Sequence, residues 1–213
     1  MCSENCLYQC ILDSAKKLSL ELTNTQVDLL TRYIELLKKW NKAYNLTAIK
    51  DPKQMVYRHI LDSLSIAPYI KSDNILDVGS GAGFPGIPLA ILYPEKQVTT
   101  LDSNGKKTRF MVQVKIELCL QNLAVVHERV ELYKPDQLFG EITSRAFSSL
   151  ADMVQGTKHL LSQSGVYLAM KGLYPEKELW ELTTQTKSEL VRSIELTVPG
   201  SEGVRHLVIV RNK

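Results

Sequence analysis

Two hydrophobic patterns divide the chain near residue 70. Before that point, Val27, Leu30, Ile34, Leu37 and Trp40 recur at the three-and-four spacing of a helix buried along one face. Thr25 followed by Asp28 predicts a capping box at its start. Asp51-Pro52 is a second start signal, with Asp as N-cap and Pro at the first helical position. It predicts a helix running to about Ile66, before Pro68. From Asn74 the pattern changes. Ile75-Leu76-Asp77-Val78 is a short apolar run ending at Gly79, as expected of a parallel strand buried on both faces. A helix follows over 85–93, then a strand over 97–101 ending at Asp102, and a long amphipathic helix over 106–120. Further strands are expected over 123–127, 141–144 and 166–170. Segments 193–198 and 206–210, joined by Pro199-Gly200-Ser201-Glu202-Gly203, read as an antiparallel hairpin at one sheet edge.

Alternating β and α units imply a doubly wound α/β fold, with a ligand bound at the carboxyl ends of the strands. The expected organisation is one compact unit. Residues 1–70 form a helical cap that contacts the partner, and 71–213 form the α/β core.

Composition narrows the class only slightly. Hydrophobic residues make up 44% and charged residues 23%, an ordinary soluble balance that argues against disorder. The longest apolar runs, such as Ile87 to Leu92, fall far short of a membrane span. The N-terminus lacks the basic and apolar regions of a secretory signal, so a cytoplasmic protein is expected. Cys2, Cys6 and Cys10, spaced by four, read as small fillers on one helix face, and Cys119 as helix core. The four histidines show no zinc spacing, and no metal is expected.

Net charge is only +3, but it is unevenly spread. From Arg32 to Arg58 there are seven basic residues against two acidic ones, a local excess of +5, interleaved with Tyr33, Trp40, Tyr44 and Tyr57. Cations for phosphates beside flat partners for unpaired bases suit a nucleic-acid surface. A solvated helix face with its aromatics packed inward has the same composition.

The chemistry centres on Asp77-Val78-Gly79-Ser80-Gly81-Ala82-Gly83-Phe84-Pro85-Gly86. Glycines after the first strand let the chain turn tightly and a ligand lie against bare backbone, which nominates Gly81 and Gly83. Asp102, nineteen residues after Gly83, can accept hydrogen bonds from both hydroxyls of a ribose. Strand, glycine loop, helix, strand and terminal acid together point to an adenosine-type cofactor. The GxGxG spacing is not the GxGxxG of dinucleotide folds, and little chain remains for a dehydrogenase's substrate region. S-adenosylmethionine fits better than a nicotinamide.

Trp40-Asn41-Lys42-Ala43-Tyr44-Asn45-Leu46-Thr47 and Arg58-His59-Ile60-Leu61-Asp62-Ser63 resemble signatures of the bacterial 16S ribosomal RNA guanine-N7 methyltransferases, the RsmG or GidB family. The glycine loop with its Phe-Pro-Gly-Ile-Pro ending, Leu101-Asp102-Ser103, Arg129-Val130-Glu131 and Ser144-Arg145-Ala146-Phe147 are similar in the same order. Lys171-Gly172 and Gly203-Val204-Arg205-His206-Leu207 extend the likeness to the C-terminus. The resemblance implies a mostly parallel seven-stranded class I, Rossmann-like methyltransferase sheet behind an N-terminal helical extension. It implies S-adenosylmethionine contacts from Gly79, Phe84, Val130, Glu131 and Arg145. The substrate it implies is one guanosine in the 530 loop of 16S rRNA, offered as naked RNA or in the small ribosomal subunit.

Guanine N7 carries a free lone pair and no proton at neutral pH, so direct in-line transfer needs no general base. Alignment and exclusion of water suffice. Donors to O6 would orient the base, and Arg145, Lys171 and Arg205 are the candidates. For Arg145 an ion pair with Asp77 or Glu131 is the structural alternative, and His59 is read as a packed histidine. Lys38, Lys39, Lys42 and Arg58, with Lys106, Lys107 and Arg109, are the expected phosphate contacts. A monomer is expected. The rival readings are a small-molecule methyltransferase, whose cap would close over an apolar pocket, and an RNA-binding protein without activity.

Overall fold

The computed structural model describes residues 4–145, 147, 149–200 and 203–213. Cys2, Ala146, Ser201 and Glu202 therefore lie outside the described residues. Two helices open the chain, α1 (Glu4–Lys17) and α2 (Asn24–Tyr44). A capping box starts α2, but it is Thr23 with Gln26 rather than Thr25 with Asp28. The helix begins two residues earlier than predicted, so Gln26 occupies N3 and reaches back to the Thr23 backbone N–H at 2.9 Å. Val27, Leu30, Ile34 and Leu37 are buried as their spacing requires.

The segment expected as one helix to Ile66 is interrupted. It runs as α3 (Pro52–Met55), a π-helical stretch (Val56–Leu61) and α4 (Asp62–Leu64), with a 3-10 turn at Ala67–Tyr69. Asp51 caps its start through Gln54 N at 2.9 Å. A π stretch inside a helix is rare and recurs at functional sites. Here it holds Arg58 and His59, and Asp62 follows it directly.

The strands are β1 (Asn74–Val78), β2 (Gln97–Asp102), β3 (Leu123–His127), β4 (Phe139–Ser144), β5 (Leu161–Lys171), β6 (Ser188–Leu196) and β7 (Arg205–Asn212). Between them lie α5 (Gly86–Leu92), α6 (Gly105–Glu117), α7 (Leu150–Thr157) and α8 (Glu176–Gln185). One seven-stranded sheet results, ordered β3-β2-β1-β4-β5-β7-β6. β1 to β5 are parallel and β7 runs antiparallel between β5 and β6. The expected edge hairpin is present. β6 begins five residues before the predicted Ser193, because a register shift between Leu190 and Arg192 hides its alternation.

Successive sheet residues feed opposite layers, as the two-residue strand period dictates. Ile75 packs with Leu7, Val27, Ile34 and Phe110 on the side of α1, α2, α5 and α6. Leu76 packs with Leu150, Val154 and Leu182 on the side of α7 and α8. The N-terminal helices thus share a core with the sheet. Cys119 departs from its prediction: it lies past the end of α6, exposed, with φ of 55°. The order reverses between β1 and β4, which opens a crevice at their carboxyl ends.

Candidate active site

The crevice has two halves that meet at Gly79. The first is built largely from backbone. Gly79 and Gly81 take φ of 67° and 62°, in the left-handed region that favours glycine. The amides of Gly79 and Ser80 both donate to Leu101 O, at 2.8 and 3.2 Å, which folds the loop across the end of β2. Gly83 lines neither half. With φ of 100°, it packs so closely on Ile87 and Tyr33 that a Cβ would collide with both. Asp77, fully buried, accepts from Gly86 N at 2.8 Å and thereby ties β1 to the start of α5. Burial pushes its carboxyl up from 3.8 to about 7.

Asp102 accepts from Gly81 N through one oxygen and from Asn104 N through the other, each at 2.8 Å. A carboxylate has about four acceptor positions. Two therefore remain for the two hydroxyls of a ribose. Asp102 lines a cavity of about 300 Å³ together with the apolar Val78, Leu101, Val130 and Phe147 and the charged Glu128, Arg129 and Glu131. Apolar side chains for a base, with the free acceptor positions of Asp102 for a ribose, suit an adenosine, and the residues present fit the expected cofactor.

The second half is built from side chains of distant segments. A cavity of about 450 Å³ is lined by Gly79 and Gly81, by Thr47, and by Arg58, Arg145 and Arg205. Asn41 shapes its floor: its side chain accepts from Thr47 N at 2.8 Å and donates to Ile49 O at 3.3 Å. Asn45, in the left-handed conformation at the end of α2, makes that turn. Thr47 Oγ1 then meets His59 Nε2 at 2.9 Å. The His59 ring stacks on Phe84 with centroids 4.5 Å apart, and the Arg145 guanidinium lies 5.2 Å from the Phe84 ring centroid. Burial, with Arg145 nearby, pushes His59 down from 6.5 to about 4.

Asp62 is the hub of this half. Its Oδ2 accepts from Arg145 Nη1 at 2.9 Å, and Arg205 Nε stands 3.4 Å from Oδ1. Arg145 therefore pairs with Asp62, not with Asp77 or Glu131. One carboxylate facing two guanidiniums leaves a net positive charge. Lys171 lies farther out, paired with Glu178 at 2.8 Å.

A family model described as rRNA small subunit methyltransferase G matches residues 26–208. The chain is 56% identical over 203 residues to the ribosomal RNA small subunit methyltransferase G of Ectopseudomonas mendocina, covering 94% of each. With the protein of the same name from Pseudomonas aeruginosa strain LESB58 it shares 58% over 183 residues, 85% of each. The chain belongs to the rRNA small subunit methyltransferase G family. It is an S-adenosylmethionine-dependent methyltransferase. Among solved structures, the glycopeptide N-methyltransferase MtfA with S-adenosyl-L-homocysteine superimposes with a TM-score of 0.63 at 11% identity, over 73% of this chain and 87% of that one. A SAM dependent methyltransferase from Aquifex aeolicus gives 0.58 at 18% identity, over 78% and 96%. These two show the same fold.

In this methyltransferase G chain the expected cofactor residues divide between the halves. Gly79 belongs to both. Asp102, Val130 and Glu131 border the first, and Gly81, Phe84 and Arg145 the second. Of the basic residues expected to meet RNA, two are placed at the second half. Arg58 lines it, and Lys107 Nζ comes within 4.0 Å of a Cβ placed on Gly81. α2 and α6 abut through Trp40 and Phe110, centroids 5.7 Å apart, so the two helices that carry Lys39, Lys42, Lys106 and Arg109 are packed together. Lys38 is partly neutralised by Glu35 at 3.1 Å, and Arg109 Nε donates to Gly105 O at 3.0 Å. Sequence reasoning missed Asp62 as the hub. Its signal was an acid four residues after Arg58 inside a quoted signature, where a buried carboxylate requires a cationic partner. Among the described residues no group of three or more His, Cys, Asp or Glu could hold a metal, and no helix is long and apolar enough to cross a membrane.

Proposed function

We propose that this methyltransferase acts on N7 of one guanosine in the 530 loop of 16S rRNA, in the cytoplasm, as a monomer and without a metal. The observation that carries this is the junction at Gly79, which lines both the cavity beside Asp102 and the one ringed by arginines. S-adenosylmethionine supplies the electrophile, a methyl group on a sulfonium. The protein's part is to bind, orient and exclude water. Asp102 receives the ribose hydroxyls on its two remaining acceptor positions, while Val130 and Glu131 border the adenine. Arg145, fixed by Asp62 and by the face of Phe84, donates to guanine O6 and leaves the N7 lone pair free, and Arg205 supports it from the other oxygen of Asp62. Lys171 reaches the base only by leaving Glu178. No side chain has to remove a proton.

Residues 1–70 act as the RNA-contacting extension. Lys38, Lys39, Lys42 and Arg58, with Lys106, Lys107 and Arg109 of the adjoining α6, meet phosphates. Charge reversal of Lys39, Lys42 and Lys106 together weakens RNA binding and flattens its salt dependence, with cofactor affinity retained. An unchanged salt dependence removes this surface from the account.

The test is methyl transfer from labelled S-adenosylmethionine to 16S rRNA or 30S particles lacking the modification, followed by nucleoside mass analysis. Labelled 7-methylguanosine, sharply reduced in Asp102→Ala when the cofactor is subsaturating, is the expected result. Label in another nucleoside keeps the methyltransferase and discards the guanine N7 assignment. Cofactor binding without transfer to any RNA replaces the reading with a small-molecule substrate.

A further inference from the structure

Beyond the Asp62 ion pair lies a third cavity, of about 300 Å³, lined by Met170, Lys171, Gly172, Leu196 and His206. It shares Asp62, Arg145 and Arg205 with the arginine-ringed cavity, so the two are neighbours across one wall of charged side chains. Its Gly172 and His206 adjoin two exposed apolar residues. Leu173 is 79% exposed and Tyr174 49% exposed, side by side on the loop after β5. That loop is held in place: His206 Nδ1 lies 3.2 Å from Gly172 O, and the Tyr174 ring meets the His206 ring edge-on at 5.7 Å. A carbonyl only accepts, so Nδ1 is the donor in this contact.

We propose that this cavity is a second nucleotide subsite, taking the nucleotide next to the target in the same RNA strand. The inference rests on the RNA reading above. Cations beside a flat apolar surface together match one nucleotide: Arg205 meets its phosphate, joined by Lys171 when it leaves Glu178, and its base lies on Tyr174 beside Leu173. A net positive wall shared with the target cavity places that phosphate on the strand that enters it. The subsite selects for single-stranded RNA, since a paired neighbour has no free face to stack.

The test uses the full chain carrying Tyr174→Ala and, beside it, Tyr174→Phe. At saturating cofactor, the alanine variant raises the RNA KM at least about fivefold, the loss of one base–aromatic stack. Its kcat at saturating RNA and its cofactor affinity stay at wild-type values, and the phenylalanine variant restores KM. An unchanged KM in Tyr174→Ala overturns the subsite. So does a fall in kcat without a change in KM, or an equal defect in Tyr174→Phe. Anisotropy with a fluorescent single-stranded fragment of unmodified 16S rRNA separates the two readings. Weaker binding by Tyr174→Ala supports the subsite even where no methyl transfer occurs, and identical binding overturns it. Failure of the wild type to methylate rRNA counts against the function proposed above.

Discussion

The two halves of the cleft are made in opposite ways. The nucleoside half is a run of neighbours: β1, the glycine loop and the end of β2, with Asp102 held by the amides of Gly81 and Asn104. The arginine half gathers Thr47, His59, Asp62, Arg145 and Arg205 from the N-terminal helices, the end of β4 and the start of β7. Backbone geometry positions the first, so its precision comes with the fold. Side-chain contacts position the second, so its precision depends on Asp62 and Phe84. A site of the first kind tolerates many substrates, and a site of the second kind chooses among them.

Substitutions should separate the halves. Arg145→Ala has the largest expected effect: methyl transfer slows about a hundredfold or more, as when one oriented donor is lost from a catalytic site. Cofactor affinity, read by calorimetry, changes far less. A matching loss of affinity would move Arg145 into the nucleoside half. Asp102→Ala does the reverse. It weakens cofactor binding about tenfold to a hundredfold, the cost of lost charge-assisted hydrogen bonds, and much of kcat returns at saturating cofactor. Asp62→Asn keeps the shape of the hub and removes its charge. With Arg145 and Arg205 less firmly held, kcat falls about tenfold at constant cofactor affinity. A wild-type kcat in this variant would deny the hub its positioning role.

The smallest expected effect is on stability against pH, where the halves again oppose each other. His59 is held at about 4, below its ordinary 6.5, so its contribution is lost as pH falls from about 6.5 to 4. Asp77 is raised from 3.8 to about 7, so its folded form binds the proton more tightly and stability falls as pH rises from about 4 to 7. In the wild type the two trends offset each other. In Asp77→Asn the denaturation midpoint should climb across this range, and in His59→Gln it should decline. Parallel profiles in both variants would show that neither group carries the effect.

The same contrast explains what could be read from the chain. β1, β2, β3, the glycine loop and Asp102 were legible because each signal is local: an apolar run, a turn that needs glycine, an acid at a strand end. The start of α2 was missed by two residues because Thr23 and Thr25 are both plausible caps, and only Gln26 decides between them. The π-helical turn left no periodic trace in six residues, and the polar edge strand β6 hid its alternation behind a bulge. The arginine half was legible as family strings but not as geometry. Nothing in the spacing of Asp62, Arg145 and Arg205 says that they meet, since 83 residues separate the first two. Similarly, Tyr174 becomes informative only once His206 is seen beside it.

The central claim is that the protein methylates a lone pair already free, by alignment alone. The direct measurement is the single-turnover rate of methyl transfer to unmodified 16S rRNA, at saturating enzyme and cofactor, across about pH 6 to 8.5. The account predicts a flat profile, which includes no break near 7 where the buried Asp77 titrates. A rate that climbs about tenfold per pH unit and then levels at a single pKa would reveal a general base and contradict it.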